Sequence, residues 1–177
     1  QIAFEQSWLG DSKAERLAER VRAVNPEIIV NAVNRRVDGD DLSQLVSEST
    51  LVLDCTDNFN TRFALNRASV SSKVPLVSGA AIRGEGQLSV YDPRHPESPC
   101  YHCLYPEQGN EDLTCSEAGV IAPLVGMIGS AQAMEAIKVI SEVGRPLVGR
   151  LLLLDAWQME WREMKLAKDP DCSVCAG

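Results

Sequence analysis

The chain has 177 residues, 45% of them hydrophobic and 24% charged, and its 17 basic and 25 acidic side chains leave a net charge of −8. These values describe a folded domain with a real core and exclude a disordered tail, a collagen-like rod and a disulfide mini-protein. With that acidity and only 5% aromatics, the chain repels phosphate backbones and offers few stacking platforms, so no nucleic-acid partner is expected.

Gln1-Ile2-Ala3-Phe4-Glu5 lacks the basic start and apolar run of a leader, and the initial Gln in place of Met reads as a fragment or a processed product. Ser12-Lys13-Ala14-Glu15 has the form of a capping box, and Ala14, Leu17, Val21 and Val24 continue it at helical spacing until Asn25-Pro26. Glu27 to Val33 alternates and reads as a strand, and Asp40 to Ser47 as a short helix. Leu51-Val52-Leu53 is a short apolar run with the pattern of a buried parallel strand. Asn58 to Ser71 is the next helix, followed by a strand at Val74 to Val77. This alternation predicts an α/β fold with a Rossmann-like, mostly parallel sheet.

After Gly79 the pattern changes. Ile82 to Tyr91 bends near Gly84 and Gly86 and reads as antiparallel strands, and Pro93 to Cys115 as loop. Glu117 to Ser141 is a long helix on which Gly119, Ala122, Gly126, Gly129, Ala133 and Ala136 form a small-residue face. Its least charged part, Ala118 to Met134, contains Pro123, Ser130 and Gln132 and is expected to be a buried helix rather than a membrane span. Leu151 to Leu154 and residues 157–166 complete an antiparallel C-terminal extension, and the whole is read as a single domain over 1–177. Ile82, Leu88 and Val90 are expected in the core, with a docking surface as the alternative.

Two Cys-x-x-Cys pairs, Cys100/Cys103 and Cys172/Cys175, are the strongest chemical signal. Each pair grips one side of a tetrahedral ion, and together they form a closed four-sulfur set suited to structural zinc. A redox dithiol or accidental spacing are the alternatives. With no secretory spacing among the six cysteines, a reducing cytoplasmic setting is expected.

Lys13 occupies a first helical turn, where the dipole disfavours a cation. A conflict of that kind points weakly to an anion such as a phosphate, against the plain reading of a solvated lysine. Asp57 follows a strand at the end where α/β sheets bind ligands, and a carboxylate there can hold nucleotide-bound Mg²⁺; it can equally cap the helix that follows. Asp54 and Cys55 read as satisfied core groups.

Taken together, several runs resemble the MoeB/ThiF family of adenylyltransferases, and MoeB more than ThiF. They are Leu53-Asp54-Cys55-Thr56-Asp57-Asn58 with Arg62 and Asn66, Pro75 to Ala81, Cys100-Tyr101-His102-Cys103-Leu104, Thr114 to Val120, Gly129 to Lys138, Arg162 to Leu166, and the Cys172/Cys175 ending. The resemblance covers nearly the whole chain. It implies an enzyme that uses ATP and Mg²⁺ to adenylate the C-terminal glycine of a ubiquitin-fold sulfur carrier of the MoaD or ThiS type. The acyl-adenylate then accepts sulfur from a donor protein, in molybdenum-cofactor or thiamine biosynthesis. By position, Lys13 matches the phosphate-contacting lysine and Asp57 the Mg²⁺-binding aspartate, with Asn58 beside it in the nucleotide site. Cys100, Cys103, Cys172 and Cys175 match the Zn²⁺ ligands. Cys115 matches a loop cysteine that some relatives use for covalent transfer. The resemblance also implies a homodimer, with no membrane partner.

The glycine-rich nucleotide loop of that family has no counterpart in these 177 residues. The expectation is therefore a missing N-terminal βαβ segment and poor adenylation by this chain alone. The alternative is a non-catalytic, zinc-stapled module that binds the carrier or dimerises.

Overall fold

The computed structural model describes residues 3–106 and 119–176. The chain divides into two compact units, Gln1–Val37 and Asp38–Gly177.

In the first unit a single turn of 3-10 helix at Gln6–Trp8 precedes α1, Lys13–Val24. Ser12 caps α1, its Oγ accepting from the Glu15 N–H, and the helix ends at Asn25 before Pro26. The segment 27–33 forms no strand, and Ile29 is 91% exposed. Alternation makes a strand only where a ladder partner exists, and no described strand pairs with it.

The second unit is a five-stranded sheet in the order β1-β2-β3-β4-β5, comprising Val52–Asp54, Leu76–Ile82, Glu85–Tyr91, Arg150–Asp155 and Glu160–Lys165. β1 and β2 pair parallel, Val52 opposite Leu76. Each later neighbour pairs antiparallel. This is an α/β sheet with an antiparallel extension, as the sequence suggests, but it is not mostly parallel: three of its four strand pairings are antiparallel, because β2 turns back directly into β3 instead of crossing over through a helix. Among the five strands, parallel pairing is confined to the β1–β2 pair, whose crossover is helical; two isolated bridges, Arg83–Val120 and Val90–Val148, are also parallel.

Helices α2, Gly39–Ser47, and α3, Phe59–Ser72, pack on each other through Val46, Leu65, Ala68 and Val74. On one face of the sheet Phe63 of α3 and Tyr101 of the short helix α4, Tyr101–Leu104, close over Leu76 and Tyr91. Helix α5, Ala122–Ser141, covers the other face. Its Val139 joins Val77, Leu88, Val90 and Leu147, and its Leu124 and Ile128 pack on Leu154. Leu88 and Val90 are thus core residues.

Helix α5 begins later than its composition suggests. Val120 makes a β-bridge to Arg83, and Pro123 falls in the first helical turn, where a missing N–H costs nothing. Among the described residues it is the one helix long and apolar enough to cross a membrane by length and composition. It is also not buried all round. Leu124, Ile128, Gln132, Glu135 and Val139 face the sheet, whereas Gly126, Gly129, Met134, Ile137 and Ile140 are exposed. The small-residue face is therefore mainly the open one: a side chain added at Gly126 or Gly129 would meet nothing within 4 Å.

Candidate metal centre and nucleotide site

The four paired cysteines come together. Cys100 sits at the N-cap of α4 and Cys103 in its turn, while the C-terminal segment brings Cys172 and Cys175 alongside. The Sγ–Sγ distances are 3.7 Å for Cys100–Cys172, 3.9 Å for Cys100–Cys103 and 3.5 Å for Cys103–Cys175. All four sulfurs lie within 4.8 Å of one another. A tetrahedral ion with Zn–S arms of ~2.3 Å has edges of roughly 3.8 Å, so the set fits zinc.

N–H groups surround these sulfurs. Asn66 Nδ2 donates to Cys100 Sγ at 3.5 Å, and the Cys100 and Asp169 amides donate to Cys103 Sγ at 3.4 and 3.5 Å. Such donors orient thiolates and spread their charge. Burial opposes ionisation of Cys172, but the Val174 and Cys175 amides and neighbouring thiols bring it down to about 6. Burial pushes Cys100 up to about 11, and raises Cys175 too. A thiolate beside thiols that hold their protons is a poor resting state, which a divalent cation relieves by displacing those protons. With every sulfur turned inward, the set has the form of a closed structural site.

The second cluster lies at the C-terminal end of β1. Asp54 is 1% exposed. Its Oδ1 accepts from the Thr56 amide at 2.9 Å and the Thr56 hydroxyl at 2.7 Å, and its Oδ2 accepts from the Ser78 hydroxyl at 3.2 Å. The Arg62 guanidinium donates to the Thr56 carbonyl at 2.6 Å and stands 4.0 Å from Asp54 Oδ2. Behind them Gln132 Nε2 donates to the Asp54 carbonyl at 2.8 Å and to the Val77 carbonyl at 3.3 Å. The exposed Cys55 donates its thiol proton to Gln132 Oε1 at 3.7 Å. Burial and the adjacent Asp54 charge raise the Cys55 thiol.

Held in this way, the loop presents Asp57 and Asn58 to solvent. Asn58, not Asp57, caps α3: its Oδ1 accepts from the Thr61 amide at 2.9 Å, while its Nδ2 lies 3.5 Å from Asp57 Oδ1. The capping alternative for Asp57 is thereby removed. Its carboxylate is exposed and accepts only, as a hard cation requires.

Lys13 is the first residue of α1, exposed, and lines a 250 Å³ depression of the first unit with Trp8, Asp11 and Arg16. Arg16 is held there by Asp11 and Glu19. Cys115 lies outside the described residues. The sequence reading missed Gln132, whose signal was a lone amide four residues after Ile128 on the sheet-facing stripe.

The ThiF family model matches residues 1–174. The chain belongs to the ThiF family. It is 46% identical over 175 residues to the molybdopterin-synthase adenylyltransferase of Salmonella typhimurium, covering 99% of this chain and 70% of that protein. It is 37% identical over 177 residues to the sulfur carrier protein ThiS adenylyltransferase of Escherichia coli, covering 100% of this chain and 70% of that one. These ThiF-family relatives are adenylyltransferases. In fold, the chain superposes on E. coli MccB with a TM-score of 0.83 at 20% identity, covering 98% of this chain and 54% of MccB. It thus spans about half of MccB and 70% of the curated relatives' length.

Proposed function

We propose that the protein adenylates the C-terminal glycine of a ubiquitin-like sulfur carrier of the MoaD or ThiS type, with ATP as the other substrate. The observation that supports this most is the near-complete match to molybdopterin-synthase and ThiS adenylyltransferases, coupled with the loop carrying Asp57 at the C-terminal end of β1.

In this reading a carboxylate oxygen of the carrier's glycine attacks the α-phosphorus of ATP. The bond from that phosphorus to the bridging oxygen breaks, and pyrophosphate departs with its electron pair. A carboxylate is a poor electrophile until an oxygen becomes part of an AMP leaving group. Sulfur from a separate donor protein then bonds to the acyl carbon of the resulting acyl-adenylate, and the bond from that carbon to the phosphate oxygen breaks with AMP as the leaving group. Mg²⁺, when bound, would neutralise charge on the phosphates. Asp57 is the side chain that would hold it, and Asn58 would orient that carboxylate; Lys13, in the first unit, is the candidate phosphate-contacting lysine by family resemblance. The four cysteines hold structural zinc, away from the chemistry. A homodimer in the cytoplasm completes the reading. For Cys115 we infer no required role.

The test is carrier-dependent ATP–pyrophosphate exchange by the full-length protein, with MoaD-type and ThiS-type carriers compared. Exchange with one of them, abolished when the carrier's terminal glycine is deleted, is the expected result. No exchange with either overturns the proposal.

A further inference from the structure

The buried amide of Gln132 does more than fill the gap between helix and sheet. It is 3% exposed and bridges the carbonyls of Asp54, the last residue of β1, and Val77, near the start of the adjacent parallel strand β2. Its oxygen faces the Cys55 thiol. One side chain from α5 thus touches both strands and the first loop residue beyond β1. Asp54 continues the chain of contacts through its bonds to the Thr56 amide and hydroxyl, and Arg62 closes it on the Thr56 carbonyl.

Gly79 makes this reach available. A Cβ there would stand 2.3 Å from Gln132 Cδ and 2.5 Å from its Oε1. The strand therefore has a bare backbone where the amide crosses it. An amide suits the position because two carbonyls need a donor and a thiol needs an acceptor, and one planar group supplies both.

We infer that Gln132 is a positioning residue for the loop at 55–58, acting through Asp54 and Cys55 to fix where the Asp57 carboxylate stands. The inference rests on the proposed role of Asp57 toward nucleotide-bound Mg²⁺. A ligand whose backbone is pinned at several points is preorganised. A loosened one must be ordered each time the cation binds, so weaker anchoring reads out as a higher Mg²⁺ requirement rather than a uniform loss of rate.

The test compares wild type with Gln132→Met, which keeps length and bulk but loses donor and acceptor. The readouts are the Mg²⁺ concentration for half-maximal pyrophosphate exchange, amide hydrogen exchange over residues 55–58, and thermal unfolding. The expected result is about a tenfold or greater rise in the Mg²⁺ requirement with faster exchange at Thr56, in a variant that still folds. Unchanged Mg²⁺ dependence, or unchanged protection of the loop, overturns the inference. If Gln132→Met does not fold, Ser78→Ala, which removes one donor from Asp54, is measured in the same way for a smaller shift in the same direction, and no shift there overturns it. A wild-type protein without exchange activity refutes the proposed function itself. An active wild type with an unaffected variant refutes only this positioning role.

Discussion

The sulfurs of Cys100 and Cys172 lie 3.7 Å apart across 72 positions of sequence. That proximity folds the C-terminal segment back onto α4. Lys168 reinforces it by donating to the Pro96 carbonyl at 2.9 Å. One zinc per chain is expected by elemental analysis. Cys172→Ser should lose the metal and lower the melting temperature by on the order of 10 °C, since a structural zinc site contributes folding energy directly. Metal-free wild-type protein with full thermal stability would contradict this.

Asn66 tests the surroundings of the same site. Its Nδ2 donates to Cys100 Sγ and its Oδ1 accepts from the Tyr101 amide at 2.8 Å, so one buried amide holds both the sulfur and the start of α4. Asn66→Ala should weaken zinc affinity by about 10- to 100-fold with all four cysteines intact. Competition against a chromogenic chelator measures it.

Glu135 fastens a turn to a helix. It is 5% exposed, accepts from the Leu147 amide at 2.8 Å and pairs with Lys138, which in turn donates to the Arg145 carbonyl. Glu135→Ala leaves a buried N–H without a partner and should cost about 1–3 kcal/mol in urea unfolding. Lys138→Met, which strands the buried carboxylate, should also destabilise.

Asp92 predicts a pH dependence. Burial opposes its charge most strongly, but two hydrogen bonds from the Arg94 side chain, at 2.8 and 2.7 Å, one from the Arg94 amide, and the Arg94 and His95 charges together outweigh burial and hold the carboxyl below its ordinary value. A lowered value in the folded state stabilises above the unfolded carboxylate pKa of about 3.9 and is lost as pH falls through the folded value. Asp92→Asn should therefore be less stable than wild type at pH 7, with the difference shrinking below about pH 4. Chemical denaturation at both pH values measures the two differences.

Much of this arrangement was visible in the residues, and the reasons are local. Ser12, Asn25 and Pro26 bound α1 because capping and proline sterics act within a few residues. The two Cys-x-x-Cys pairs are legible because thiolate geometry dictates their internal spacing. Residues 27–33 misled because alternation describes a strand's faces and says nothing of its neighbour. The start of α5 was misread because the Arg83–Val120 bridge, which holds the chain extended there, depends on a hairpin far back in sequence. Gln132 was overlooked for a related reason. An amide on an apolar stripe is ordinary until tertiary structure brings the carbonyls of two neighbouring strands beneath it.

The contact between Gly79 and Gln132 ties two distant positions into one unit of sequence change. A methyl group at 79 has room only if the residue at 132 shrinks, and the shortened residue no longer bridges β1 and β2. Variation at either site should therefore be paired rather than independent. A chain that acquired alanine at 79 would need to secure the loop beyond β1 by some other means.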